Sequence, residues 1–517
     1  MLTRMRPPSP LLAALVAALG AGCGGGSAPS APLPPVVGGA ARASAASPFG
    51  AGCAGPAPSG SRNYPDSVVE PSLAVDPRDP DHLVGIWQQD RWSDGGANGL
   101  VAGVSRDGGK TWSRTAVGFS RCAGGHYDRA TDPWVSIASD GTVHVLGLAF
   151  DATGGRRAIL AARSSDGGLT FGDPSPLQAD VDVDFGLDKP SLATDPTDSR
   201  RVYAVWDRLT GLASPSASAV TGPVWFARST DGGATWEPAR ALYDPGQDAQ
   251  TIGSQVLVQP DGTLANAFVR IVGLSGQSPV NTVAVQRSTD HGTTWSAPVD
   301  VATADPVGVA LPGSGFPVRS GDVVIAAAVD PASGALYLAW EDGRFSGGQR
   351  DGIALSRSTD GGLTWSTPLQ VNGAPGAQAF TPALAASAGV VAVTYYDFRL
   401  YDPAHPGAQT AAWQATSADG GATWRDAALG SSFDIRGAPD SEGYFLGDYE
   451  GLAARGGSFT AFFVMANPAG RGTDVFAEDA AAPWPAAARV AGAAQVNEHP
   501  RPLAERLRAP RERPGRR

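Results

Sequence analysis

The chain has 517 residues, with 67 Gly, 43 Pro, 17% charged residues and a formal net charge of −11. A chain of this length can bury an ample core, its Gly and Pro content asks for many turns, and its acidic balance argues against nucleic acid as a partner. Three Arg and no acid precede Gly60, and eight Arg against three Glu follow Ala480, so the acidity belongs to the body between two basic ends.

The N-terminus reads as an export signal. Arg4 and Arg6 precede the apolar run Leu11–Gly22, which is too short to span a bilayer, and small residues lead to Cys23. "LGAGC" resembles a lipoprotein box, which implies acylation of Cys23; ordinary secretion is the alternative. Residues 1–22 are then a signal peptide, and 23–60, rich in Gly, Pro, Ala and Ser, are expected to form a flexible linker. The expected location is extracytoplasmic, and any membrane contact is through the lipid alone. Cys53 and Cys122 are the two remaining thiols, and in an oxidising compartment they suggest one disulfide.

From residue 61 to 480 one phrase recurs six times: "SRDGGKTW" from Ser105, "SSDGGLTF" from Ser164, "STDGGATW" from Ser229, "STDHGTTW" from Ser288, "STDGGLTW" from Ser358 and "SADGGATW" from Ser417. The steps are 59, 65, 59, 70 and 59 residues, which is one structural unit with occasional insertions. Each unit holds short runs of Val, Ala, Leu and aromatics between Gly, Pro and Asp, as in "RVYAVWD" and "VWFARS", which is strand and turn chemistry. Four strands per unit with radial repetition predict an all-β propeller of four-stranded blades. A seventh unit without the phrase follows at Tyr449–Ala480. Seven blades are therefore favoured over six, with the outermost strand of the last supplied from around Asn63–Val69 or Ala488–Val496.

Within the phrase, Ser and Asp can accept hydrogen bonds from nearby amides, Gly takes a positive φ, and the aromatic returns to the sheet, where its burial stabilises by about 1.5–3 kcal/mol. This predicts a hairpin between the third and fourth strands. Such a turn, once per unit, is carpentry. A calcium loop would need alternating carboxylates that the phrase lacks. Two cysteines without Cys-x-x-Cys, and six His without ligand spacing, offer no metal site, and no cofactor is expected. The tail 481–517 is basic and Pro-broken, which predicts disorder.

The six phrases resemble the Asp box, or bacterial neuraminidase repeat, of the sialidase superfamily. That resemblance implies a β-propeller with Asp boxes between strands three and four, a glycan or glycoprotein substrate, and a monomeric glycoside hydrolase of exo-α-sialidase type. In sialidases three Arg hold the sugar's carboxylate, an Asp is acid/base, and a Tyr assisted by Glu is nucleophile. Carried to this chain, Arg62 takes the place of the first Arg, Arg344 and Arg399 those of the other two, Asp128 or Asp132 that of the acid/base, and Tyr449 with Glu450 that of the nucleophile pair. Tyr444 with Glu442 is the rival pair. Arg91 and Arg208 end second strands in "WQQDR" and "WDR" and belong to the same rim. Two readings of that rim compete: a carboxylate-binding Arg cluster, or repeated Asp/Arg ion pairs holding blades together. A non-catalytic Asp-box propeller that binds glycan or protein partners is the alternative function.

Overall fold

The computed structural model describes residues 39–276, 278–404, 407–467 and 472–480; the expected signal peptide 1–22, Cys23 and the tail 481–517 lie outside them. Among the described residues helix is limited to four 3₁₀ turns of three or four residues. The long strands fall into antiparallel groups of four, blades 1 to 7, of which blades 1 and 2 are joined into one eight-stranded sheet by the Ala97–Ala130 pairing and blade 4 gains Thr221–Gly222 as a parallel fifth strand. Blade 1 is Val68–Asp76, Asp79–Arg91, Ala97–Ser105 and Ser113–Val117. Blade 2 is Arg129–Ile137, Val143–Phe150, Arg157–Ser164 and Ser175–Asp180. Blades 3 to 6 repeat the pattern, with first strands Gly186–Thr194, Ala249–Val258, Ala326–Val329 and Ala379–Ser387. The first strand of each blade packs against that of the next, and the first strand of blade 7, Gly451–Arg455, returns to blade 1, so the ring is closed.

Closure departs from the sequence reading. The outer strand of blade 7 is Ala41–Arg42, paired with Phe476 and Ala477 in Thr473–Asp479. Segment Asn63–Val69 instead leads into blade 1, and Ala488–Val496 lies outside the described residues. Residues 39–60, expected as linker, are therefore part of the ring. The physical reason is an edge that must be covered: without Ala41–Arg42 the strand Thr473–Asp479 would present unpaired backbone groups. Side chains fasten the segment, with Arg42 and Ser44 Oγ each 2.6 Å from Asp474 and Arg114 Nε donating to Ala43 O at 2.6 Å. A disulfide joins Cys53 to Cys122.

The six repeated phrases form the hairpins between third and fourth strands. In the box at Ser358, Gly362 N donates to Ser358 Oγ at 2.8 Å, Thr364 N to Asp360 Oδ1 at 2.9 Å and Thr364 Oγ1 to Asp360 Oδ2 at 2.5 Å. Both box glycines, Gly361 and Gly362, have positive φ, which a Cβ would resist. The closing aromatics pack into the seam with the preceding blade: Trp112 stacks near Phe462 of blade 7, and Trp236 joins Leu146 and Ala161 of blade 2. The sequence adds a second device. An Arg precedes the box Ser in several blades and reaches the next blade's box, as Arg163 Nη1 does to Gly232 O at 3.2 Å, Arg228 Nη1 to His291 O at 2.6 Å and Arg357 Nη1 to Gly420 O at 2.8 Å. Gly108 N also donates to Asp81 O, and His82 Nε2 lies 2.9 Å from Gly167 O, so the boxes share one face with the turns between first and second strands. The opposite face is the mouth.

Two long connections meet at the mouth. Val309–Ala310 and Pro317–Arg319, between blades 4 and 5, form a three-stranded cap with Tyr444–Phe445, between blades 6 and 7. The cap brings Arg319 and Phe445 side by side, in register across a parallel pairing.

Replacing Arg228 by Ala removes two inter-blade hydrogen bonds, to His291 O and Thr293 Oγ1. The expected result is a loss of about 1–3 kcal/mol in urea unfolding, with no change in ligand binding at the mouth.

Candidate functional site

The inner strands build the site. Blades 1, 2, 3, 4 and 6 each carry a bulge near the start of the first strand, and at it a residue of positive φ: Glu70, Asp132, Lys189, Gly253 and Thr381. In four of the five the next residue is Pro: Pro71, Pro133, Pro190 and Pro382. A non-Gly residue in the left-handed region costs about 1–2 kcal/mol. Four such residues at matching places in one ring show that the fold holds these side chains in position against a local penalty.

Lys189 is the hub. Its Nζ lies 2.7 Å from Asp448 Oδ2, 2.9 Å from Asp132 Oδ1, 3.6 Å from Glu70 Oε1 and 3.9 Å from Asp188 Oδ1. Arg319 grips the same Asp448 in a fork, Nη2 to Oδ2 at 2.7 Å and Nε to Oδ1 at 3.1 Å. Arg91 donates to Gln88 Oε1 at 2.8 Å and Ser441 Oγ at 3.1 Å, while its Nε is left without a partner among the described residues. The guanidiniums of Arg91 and Arg319 both lie over the Phe445 ring, at 4.6 and 4.5 Å. Gln88 also donates to Glu70 Oε2 and, at 2.8 Å, to Thr131 Oγ1. The cluster thus gathers four carboxyl groups, one ammonium and two guanidiniums. Only Asp188 and Arg319 show substantial exposure, with 33% and 30% of their side chains in solvent.

Burial and charge divide the protons. Burial pushes Glu70 up to about 8, against the pull of Lys189. Burial likewise raises Asp132. Burial also works against ionised Asp448, but Arg319 and Lys189 outweigh it and hold that carboxyl well below the usual range. For Lys189, burial alone would favour the neutral amine, and the surrounding carboxylates reverse that. The hub therefore stays charged, with Asp448 as its ionised partner and Glu70 as a neutral acid.

The residues expected from the sequence are spread more widely than this. Asp132 and Arg91 join the cluster. Asp128 does not: its carboxylate forms an ion pair with Arg121, 3.2 Å from Nε, and accepts from Ala152 N at 3.1 Å, fastening a loop beside Gly55. Tyr449 lies at the ring position, but its hydroxyl donates to Pro133 O at 3.1 Å, and burial pushes its ionisation far up. Glu450 is not its helper, since it accepts from Tyr396 Oη at 2.8 Å. The two side chains, just ahead of the strand Gly451–Arg455, are committed to different partners, Pro133 O and Tyr396 Oη, so the dipeptide does not act as one pair here. The rival Tyr444 packs on Phe316 in the cap, with ring centroids 4.8 Å apart.

Three of the four remaining Arg are taken by carboxylates, Arg208 by one of blade 2 and Arg344 and Arg399 by those of their own blades. Arg208 holds Asp180 by two bonds of 2.8 and 3.0 Å, Arg344 holds Asp342, and Arg399 lies between Asp397 and Asp426 over the Trp413 ring. Arg62 stacks on Tyr64, 4.5 Å from its centroid. No three-Arg carboxylate clamp forms from Arg62, Arg344 and Arg399. At the rim the blade-to-blade ion-pair reading holds for Arg208 alone; Arg344 and Arg399 pair inside their blades, because an Arg two residues from an Asp at a strand end reaches it more readily than the axis.

Glu70, Lys189, Arg319 and Asp448 were not singled out from the sequence. Two signals were present. The dipeptides Glu-Pro, Asp-Pro, Lys-Pro and Thr-Pro recur at the head of first strands, and the step of 70 residues between the fourth and fifth boxes marks the insertion that carries Arg319.

The molecule defined by these features is an Asp-box β-propeller with a charged centre at the mouth of its channel. A family model described as "BNR repeat-like domain" matches residues 220–436, and one described as "BNR/Asp-box repeat" matches residues 104–114. Both matches fall on the repeated boxes of the propeller. It is 28% identical over 262 residues to the xyloglucanase Xgh74A of Acetivibrio thermocellus, covering 48% of this chain and 28% of that protein. With a xyloglucanase of Paenibacillus sp. it shares 27% over 258 residues, 45% of this chain and 22% of that one. The chain therefore spans only about a quarter of the length of these relatives. Among solved structures, Hadza microbial sialidase Hz136 aligns with a TM-score of 0.45 at 17% identity, covering 77% of this chain and 74% of that one. An α-L-arabinanase of Penicillium chrysogenum aligns with 0.46 at 13% identity, covering 70% and 94%.

Two tests address the centre. Lys189→Met leaves Asp132, Asp448 and Glu70 without their common cation, and the expected cost is on the order of 3–5 kcal/mol at pH 8, less at pH 5 where carboxyls take up protons. Glu70, protonated in the fold up to about pH 8 and ionised in the unfolded chain above about 4.5, makes stability fall as pH rises through that window. Chemical denaturation at pH 5.5 and 8.5 should show this decline reduced in Glu70→Gln, by roughly 2–3 kcal/mol.

Proposed function

We propose that this chain is an exported, glycan-acting propeller of the glycoside hydrolase type, with its reactive centre in the Lys189 cluster. The observation that carries the reading is the split of two neighbouring carboxyl groups, Glu70 neutral and Asp448 ionised around one ammonium. Sites that hydrolyse glycosidic bonds need such a division, one carboxylic acid to protonate the leaving oxygen and one carboxylate to support the developing positive charge. Asp188 and Arg319 are the groups a sugar meets first at the mouth. The names of the relatives, xyloglucanases among them, support a glycan as substrate. The acidic-sugar specificity of an exo-sialidase has Arg91 and Arg319 to rest on, and the nucleophile role falls to Asp132 or Asp448, since Tyr449 lacks a carboxylate partner.

One observation favours the second reading, a glycan-binding propeller without turnover. Glu70 and Asp132 are 1% and 3% exposed beneath the cap, as befits a charged plug that locks the inner strands. A panel of 4-methylumbelliferyl glycosides, including a sialoside and an α-L-arabinofuranoside, together with xyloglucan oligosaccharides, decides between them. Release of product from at least one, reduced about 100-fold or more in folded Asp188→Asn and in Glu70→Gln, is expected. Inactivity on the whole panel with saturable glycan binding selects the second reading.

A further inference from the structure

Two residues of blade 2, His144 and Gly172, line the face that it turns towards blade 3. His144 on the second strand pairs with Arg163, the Arg that precedes a box Ser. The same register position holds Tyr203 in blade 3, opposite Arg228, and Tyr337 in blade 5, opposite Arg357, while blades 1, 4 and 6 hold the apolar Val84, Ala265 and Ala392 there. Tyr203 Oη reaches Asp195 at 3.4 Å; the shorter His144 leaves its Nε2 without a hydrogen-bond partner among the described residues, although the residue is only 3% exposed. The second of the two residues is Gly172. The residue after the box aromatic is Ser113, Glu237, Ser296, Ser366 or Arg425 in the other five boxes. Ser296 and Ser366 accept from Arg287 N and Arg357 N at 3.0 and 3.1 Å, whereas a Cβ on Gly172 would meet nothing nearer than Arg163 O at 3.7 Å.

Together these two residues leave a cavity of about 190 Å³ at the box end of the seam. At about 30 Å³ per water, this is the share of roughly six waters, the bulk of a single sugar ring. Its walls are mixed in a particular way. Half-buried Trp236 and apolar Leu146 and Leu192 line one part, and exposed Asp173 and Arg163 line another. Arg163 is partly engaged by Gly232 O, and burial, reinforced by Arg163, pushes His144 down to about 4, so its ring is neutral and both donates and accepts. An unpaired buried imidazole nitrogen costs about 1–3 kcal/mol, which a hydroxyl group relieves. An aromatic wall beside polar donors and acceptors, with room for one ring and no excess of either charge, fits a neutral polyhydroxylated ring.

We propose that this seam is a second carbohydrate site, taking one neutral pyranose or furanose unit on Trp236 with a hydroxyl on His144 Nε2. It lies at the opposite face from the Lys189 cluster and is independent of what happens there.

The test is titration of the full chain with D-galactose, D-xylose, L-arabinose and D-glucose, followed by ligand-observed NMR or calorimetry. Saturable millimolar binding of at least one is expected, weakened about ten-fold or more in His144→Tyr and in Gly172→Ser. Both variants carry residues that other blades hold at the same places, so they are expected to melt like the parent. Should either fail to fold, Asp173→Asn on the exposed rim is expected to weaken binding several-fold. Glu70→Gln, which tests the mouth, should leave this binding unchanged. No binding of any of the four sugars, binding that survives all three seam variants, or a soaked crystal with only water at His144 would overturn the proposal.

Discussion

Seven blades standing around one axis have nowhere to put the inner side chains of their first strands except the axis itself. Close to the mouth those side chains are Glu70, Asp132, Lys189 and their neighbours, and water is largely excluded. Charges in such a place must satisfy one another. The single ammonium of Lys189, drawn from blade 3, does this for carboxyl groups contributed by blades 1 and 2 and by the entry to blade 7. Every other feature of the mouth follows from that exchange: the proton retained on Glu70, the ionised Asp448, and the fork of Arg319 that ties the cap down over both.

Carpentry and chemistry are kept apart by the direction of the strands. The boxes and their arginine links close the ring at one end with short, repeated, solvent-facing hydrogen bonds. The other end is left to long connections that differ from blade to blade. A repeat can specify the first end because each copy needs the same turn. It cannot specify the second, since one lysine is enough for the whole ring.

That division explains how much was legible in the sequence. Strands, hairpins and the ring itself could be read because Ser, Asp, Gly, Thr and Trp recur at fixed offsets, and each has a local reason to be there. Asp132 and Arg91 could be found because they sit in repeating positions. Arg319 sits in an insertion, and its partner Asp448 meets it through pairing across more than a hundred residues, which no local pattern encodes. Arg208, Arg344 and Arg399 looked alike in sequence to Arg91, yet each finds a carboxylate away from the centre, Arg208 on blade 2 and the other two within their own blades. Tyr449 and Glu450 are adjacent in the chain and divergent in space. Residues 39–60 have the composition of a spacer, but composition does not reveal an open strand edge 430 residues away that two of them will cover.

That late pairing has a consequence for how the molecule is made. The strand that finishes blade 7 is the first part of the ring to be synthesised and the last to find its place, so blade 7 stays one strand short until the far end of the chain doubles back to Ala41 and Arg42. The contacts that close this seam join the most separated parts of the ring and carry its greatest loop-closure cost. The finished body consequently has no hinge line between an early half and a late half: its beginning and its end are the same seam.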